Sequence, residues 1–245
     1  MSALFAELAN VDTAMGELSL RRRREPTRQV DVYEVKLGDE YLMSSSFTVA
    51  EVELARLGLA ALERAPLSVV VGGLGLGYTA RAVLEDDRVT ELLVVEALEP
   101  VIDWHEAGLL PESAALTGDG RCRFVHGDFF AMARGDEGFD QRHPGRRFDA
   151  ILVDIDHTPS HVLDQSHGDL YTEAGLRRLA RYLTADGVFG LWSDDPPDAA
   201  FVQVVERVFA DVRAEVVEFR NFLTGGTSSN TVYVATGSAT GGDPG

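Results

Sequence analysis

The stretch ILVDIDHTPSH, residues 151–161, sets Asp154, Asp156, His157 and His161 directly behind an apolar run. Carboxylates and imidazoles so spaced suit three kinds of chemistry. They can take a proton from a bound nucleophile, hold a metal ion through mixed oxygen and nitrogen ligands, or hydrogen-bond a turn to itself. The order Asp-x-Asp-His-x3-His matches no firm metal motif, so proton transfer is favoured and no metal is expected. Imidazole, with an unperturbed pKa near ~6.5, is a serviceable base at neutral pH, and a neighbouring aspartate can orient its ring. His157 is therefore the candidate base, with Asp154 lining the site and Asp154 or Asp156 holding the ring. A second acidic stretch, WSDDPPD at residues 192–198, follows another apolar run. Here Asp195 can cap a helix begun by Pro196 and Pro197, while Asp194 can face a substrate.

Such residues need a scaffold to face a ligand together. From residue 67 onward the runs LSVVVGG, ELLVVEA, CRFVHGD, FDAILVD, GVFGLWS, AEVVEFR and NTVYVAT alternate with helical patterns near 77–85, 100–108, 171–183 and 199–210. Buried strands alternating with helices predict an α/β fold, a mostly parallel sheet covered on both faces. The last two runs are joined by NFLTGGTSS, too short for a helical crossover, so the seventh strand runs antiparallel. That loop can act as a mobile lid hinged at Gly225 and Gly226. Upstream, VDVYEVKLGDEYLM reads as a hairpin turning at Gly38 and Asp39, and TVAEVELARLGLAALERA as a helix with a Thr48–Glu51 capping box. The organisation expected is a hairpin and helix region over 1–65, the α/β domain over 66–236 and a disordered tail over 237–245.

The first α/β turn, VVVGGLGLGYTA, carries Gly72, Gly73, Gly75 and Gly77 between a strand and a helix. Glycine permits the turn and lets a ligand approach the backbone, and the helix N-terminus favours partly negative groups. Glu96 closes the second strand about 20 residues on, where an acid accepts from ribose hydroxyls. Asp128 follows the third strand, placed to accept from an adenine amine, with Phe129 beside it. Asp154 ends the fourth. Each strand-end acid is also a candidate helix cap or turn former, but three in register beside the glycine loop point to a nucleoside-binding edge. Trp104 reads as helix packing and His105 as a solvated helix residue.

The chain has 245 residues and a formal charge of −18, which disfavours a nucleic-acid partner and tolerates a cationic small molecule. With the single cysteine Cys122 it can form no internal disulfide, which points to a reducing cytoplasm. No signal peptide or membrane-spanning run is read, and RRRR at residues 21–24 is expected to be solvated or paired to the protein's own carboxylates.

Together these segments resemble the class I S-adenosylmethionine-dependent methyltransferase fold, and within it the spermidine synthase (polyamine aminopropyltransferase) family. The likeness covers roughly residues 15 to 235. It rests on the glycine loop, VEALEP, Gly127–Asp128, FDAILVD, LYTE at 170–173 and LTADG. Four departures fall on the chemistry. Gly75 stands where the family keeps an acid for the amine of decarboxylated S-adenosylmethionine. Val49-Ala50-Glu51 stands for Tyr-His-Glu, His157 for a polyamine-binding aspartate, and Trp192 for a glutamine, while Asp154 matches the family's proton-accepting aspartate. The resemblance with these changes implies a methyltransferase using S-adenosyl-L-methionine on a small acceptor, with a cationic one favoured. The runner-up is a divergent aminopropyltransferase using the decarboxylated donor, and the third reading a nucleoside-binding protein without turnover. The resemblance also implies a homodimer, with the hairpin region able to support its interface.

Overall fold

The computed structural model describes residues 4–238; the expected tail from 239 onward lies outside the described residues. Strands β1 (Phe5–Thr13), β2 (Gly16–Glu25), β3 (Val30–Leu37) and β4 (Glu40–Ser44) form one antiparallel sheet in that order. The β3–β4 hairpin turns at Gly38, whose φ of +57° lies in the left-handed region. The region is more than this hairpin, because β1 and β2 form a second one ahead of it. The arginine run lies in β2 with acids as cross-strand neighbours. Arg21 reaches Glu7 (3.5 Å), Arg23 reaches Glu34 (2.8 Å) and Arg24 reaches Asp31 (3.1 Å). Opposite charges facing across strands stabilise the pairing.

The second sheet has seven strands: β5 (Leu67–Gly72), β6 (Val89–Glu96), β7 (Cys122–His126), β8 (Phe148–Val153), β9 (Leu183–Ser193), β10 (Asp211–Asn221) and β11 (Gly226–Thr236). Their order is β10-β11-β9-β8-β5-β6-β7, with β11 antiparallel to both neighbours and the other pairings parallel. This is the expected seven-stranded, mostly parallel architecture. Successive strand residues bury on opposite faces. Val69, Val71 and Leu152 join one core cluster, and Val70, Ile151 and Val153 the other. Helices α1 (Val49–Ala60), α2 (Tyr78–Leu84), α3 (Glu99–Glu106), α4 (Ser113–Thr117), α5 (Phe129–Arg134), α6 (Glu173–Ala180) and α7 (Ala199–Glu206) complete the fold. Among the described residues none is long and apolar enough to cross a membrane.

Two features shape the edge where the parallel strands end. Helix α1 lies close on the sheet because Gly58 and Gly190 leave room for Leu152; a Cβ at either would sit within 2.8 Å of its Cδ2. The expected lid loop is instead a tight turn at residues 222–225. Strand pairing runs on to Asn221 and Gly226, and Asn221 Oδ1 accepts from the Leu223 (2.9 Å) and Thr224 (3.1 Å) amides. Because β9 stops pairing at Ser193 opposite Thr231, the β10–β11 ribbon projects past its neighbour as a wall.

Candidate active site

The carboxyl ends of β5, β8 and β9 open beneath the α1 N-terminus and the β4 end into a cavity of about 350 Å³. Its first side is the glycine loop. Gly73, Gly75 and Gly77 have φ of +93°, +48° and +93°, a region costly for any residue with a Cβ. A Cβ on Gly73 would lie 2.2 Å from the Asp154 carbonyl oxygen, so glycine lets the loop lie against the end of β8. At Gly75 the nearest neighbour of a Cβ would be Met43 Sδ, at 3.1 Å.

Two buried side chains hold this loop from behind. Glu96 Oε2 accepts from the Leu74 (3.0 Å) and Gly75 (3.4 Å) amides, and Oε1 from Leu98 (2.8 Å). Burial raises its pKa, and these bonds to the charged form partly oppose the rise. His105 is fully buried, not solvated as its place in a polar helix suggested. Its Nε2 donates to the Gly75 carbonyl at 2.9 Å, and Nδ1 lies 3.4 Å from Ser113 Oγ. Burial lowers its pKa, which keeps the ring neutral and suited to this pairing. Helical periodicity hid it, since α3 buries Trp104 and His105 side by side.

The floor is acidic. Asp154 Oδ2 accepts from the Thr79 hydroxyl at 2.6 Å, and burial lifts its pKa to about 6 against that bond. The same hydroxyl lies 3.2 Å from the Glu51 carbonyl oxygen, tying α1 and α2 to the end of β8. Glu51 does not form the expected capping box. Thr48 has ψ of 12°, not the extended backbone a capping hydroxyl needs, and makes no cap bond. The Glu51 carboxyl turns into the cavity. There burial, then the charges of Asp154 and Asp194, push its pKa to about 8. Asp194 Oδ1 accepts from Asn230 Nδ2 at 2.6 Å, and its amide donates to the His157 carbonyl at 2.8 Å.

His157 sits at the rim, with Nε2 3.7 Å from Glu40 Oε1 of β4 and its ring 5.3 Å from that of His161. Neither aspartate expected to orient the ring is hydrogen-bonded to it. Asp156 is buried and accepts from His167 Nδ1 (2.8 Å), the Tyr171 hydroxyl (2.7 Å) and the Leu163 amide (2.8 Å), clamping the loop that bears His157. Asp154 and His157 thus line the cavity, as do Gly73, Gly75 and Gly77. Glu96 lies behind the loop. Asp128 is the N-cap of α5, accepting from Phe130 (2.8 Å) and Ala131 (3.1 Å), and Phe129 packs under Gly72, which has no side chain to block its ring. Likewise the cap of α7 is Asp198, accepting from Ala200 (2.8 Å) and Phe201 (3.3 Å), not Asp195. Among the described residues no three histidine, cysteine or acidic side chains are gathered to hold a metal ion.

The remaining wall is aromatic. Trp192 and Phe219 come from β9 and β10, and Phe47 lies just ahead of α1. Phe47 packs on Phe219 (ring centroids 5.4 Å) and on Phe222 (4.9 Å), and the Arg28 guanidinium covers Phe222 at 4.7 Å.

This strand order, with a cavity at the carboxyl ends of the strands, is the Rossmann-like fold of class I methyltransferases. More particularly, with its N-terminal antiparallel sheet, it is the fold of the spermidine synthases. A spermidine synthase in complex with the transition-state analogue AdoDATO superposes with a TM-score of 0.71 at 19% identity, over 94% of this chain and 73% of that one. The spermidine synthase from Thermotoga maritima gives 0.70 at 19% identity, over 94% and 72%. No protein-family model and no curated protein sequence matches the chain.

Proposed function

We propose that this protein is a transferase that moves an aminopropyl group from decarboxylated S-adenosylmethionine to a small amine. The observation that carries this reading is the charge of the cavity. Asp154 and Asp194 line it together with Glu51, which gives up its proton once an ammonium lies beside it, and among the described residues no lysine or arginine does. A donor that ends in an ammonium and an acceptor amine are both attracted there. The carboxylate of ordinary S-adenosylmethionine would meet like charges without a partner. The spermidine synthase neighbours support the reading at the level of the fold.

The residues divide the work as follows. The glycine-loop backbone, held by Glu96 and His105, offers close approach to the donor. The sulfonium of that donor supplies an activated carbon, so the protein mainly aligns the nucleophile and removes its proton. As the acceptor nitrogen bonds to carbon, the carbon–sulfur bond breaks and a neutral thioether departs. Asp154, ionised above about pH 6, takes the proton from nitrogen. Glu51 and Asp194 hold the ammonium, and His157 with Glu40 borders the mouth.

Methyl transfer from S-adenosyl-L-methionine is the second reading, favoured by Gly75, which puts a neutral backbone where an acid would fix the donor's amine. Calorimetric titration separates them. We expect decarboxylated S-adenosylmethionine to bind more tightly than S-adenosylmethionine, and aminopropylated amine to form. Tighter binding of the carboxylated donor, with methylated product, would establish the second reading instead.

A further inference from the structure

The two oxygens of Asp154 have different partners. Oδ2 accepts from the Thr79 hydroxyl at 2.6 Å, whereas Oδ1 accepts no hydrogen bond among the described residues, although the residue lines the cavity. Oδ1 is therefore the oxygen left for an incoming amine. Thr79, the second residue of α2, is 3% exposed and does not line the cavity, so it reaches the site only through its neighbours. A threonine in a helix commonly turns its hydroxyl back to a carbonyl of the preceding turn. Here Oγ1 instead lies between Asp154 and the Glu51 carbonyl oxygen of α1, 3.2 Å away, and neither belongs to its own helix.

That position lets one hydroxyl serve both charge states of the carboxyl. A hydroxyl has a single proton to give. While Asp154 is ionised, that proton goes to Oδ2 in a charge-assisted bond, which favours the carboxylate against the burial that opposes it. Once a proton reaches Oδ1 the charge is gone and Oδ2 becomes a weaker acceptor, and the hydroxyl can turn to the Glu51 carbonyl without leaving its place. The titratable groups that share this space are Glu51 from α1, Tyr78 from α2, His157 after β8, Asp194 after β9 and Tyr41 from β4. Among the described residues none of them donates a hydrogen bond to the Asp154 carboxyl, and the charges of Glu51 and Asp154 oppose each other.

Resting on the transferase reading, we propose that Thr79 is a positioning residue for the proton transfer: its hydroxyl fixes the Asp154 carboxyl with Oδ1 left for the acceptor amine and stabilises the ionised form that takes the proton. After nitrogen has bonded to carbon, its nitrogen–hydrogen bond breaks and an Oδ1–hydrogen bond forms, while Thr79 neither gains nor loses a proton. Without the hydroxyl the carboxylate keeps its desolvation with no bond to offset it, so the base stays protonated to higher pH. A threonine that merely ties α2 to α1 and β8 would cost stability on removal and leave the ionisation of Asp154 where it is.

Two measurements test this, one of them without turnover. Protein labelled with carbon-13 at the aspartate side-chain carboxyls is titrated by NMR, the Asp154 signal being the one missing from Asp154→Asn. In Thr79→Val, which keeps the shape and removes the hydroxyl, the Asp154 midpoint is expected to rise by about one to two pH units. Thr79→Ser should return it to the wild-type position. With decarboxylated S-adenosylmethionine and an amine, the acid limb of kcat should move the same way, while KM for the donor changes by less than about twofold. If Thr79→Val does not fold, Thr79→Ala, which also lacks the hydroxyl, carries the same expectations. An unmoved midpoint in a folded variant without the hydroxyl, or a serine variant that titrates like the valine one, overturns the proposal. If the midpoint moves as expected and no aminopropyl product forms, the reaction assigned above fails and the hold of Thr79 on Asp154 stands. If product forms and the acid limb stays in place, the reaction stands and Thr79 has no part in its proton transfer.

Discussion

Asp154 and Glu51 show how position on the same floor sets different protonation states. Asp154, with its hydroxyl partner, ionises at about 6, whereas Glu51, among other carboxyls, ionises at about 8. With saturating acceptor, kcat should rise as pH climbs through about 6. Asp154→Asn should lower kcat by roughly 10²–10⁴ while methylthioadenosine affinity changes little. His157→Ala, at the rim, should lose far less, and a loss equal to that of Asp154→Asn would move the base to the imidazole. Glu51 leaves a signature in stability. Its folded pKa lies above the unfolded value of 4.5, so between the two the folded state holds the extra proton. Its contribution is full below about 4.5, declines as pH rises, and is gone once pH passes about 8. Chemical denaturation across that window should show stability falling with pH, and Glu51→Gln should flatten the slope. An unchanged slope would place the raised pKa elsewhere.

At the scale of elements, loops and caps divide the strand-end residues into those that line the cavity and those that hold the edge together. The β5–α2 loop depends on Gly73, where alanine adds the left-handed cost of about 1–2 kcal/mol to a backbone clash with Asp154. Gly73→Ala should therefore lower the unfolding midpoint and abolish nucleoside binding together. Asp128 behaves in the opposite sense. As the α5 cap it is worth about 1 kcal/mol of stability. Asp128→Ala should cost that much in denaturant unfolding and leave methylthioadenosine affinity within about twofold. A large loss of affinity would assign it to the adenine ring after all.

At the scale of the whole molecule, a chain of net charge −18 presents a negative field to a cationic acceptor. Such fields raise encounter rates and are screened over a Debye length of about 8 Å at physiological salt. The kcat/KM for an amine should accordingly fall several-fold as salt rises, more than kcat does; a salt-independent kcat/KM would show that steering plays no part. The fold itself was legible in sequence, because buried parallel strands are continuous apolar runs and a short connection forces the last pairing antiparallel. So were the glycine loop and Asp154, because a turn between strand and helix has a composition of its own. Tertiary structure alone decided the rest. The β1–β2 hairpin was missed because its β1 strand is scarcely buried, and a half-exposed strand has a weak pattern. Glu51 looked like a cap and His105 like surface, and Asp128, read as a ligand, is also the cap of α5, since each type serves either purpose. What separates those uses is which element packs over the residue, and that contact comes from chain far away in sequence. The residues capable of chemistry were written locally; which of them share a cavity was settled by α1, β4 and the projecting β10–β11 ribbon closing over the strand ends.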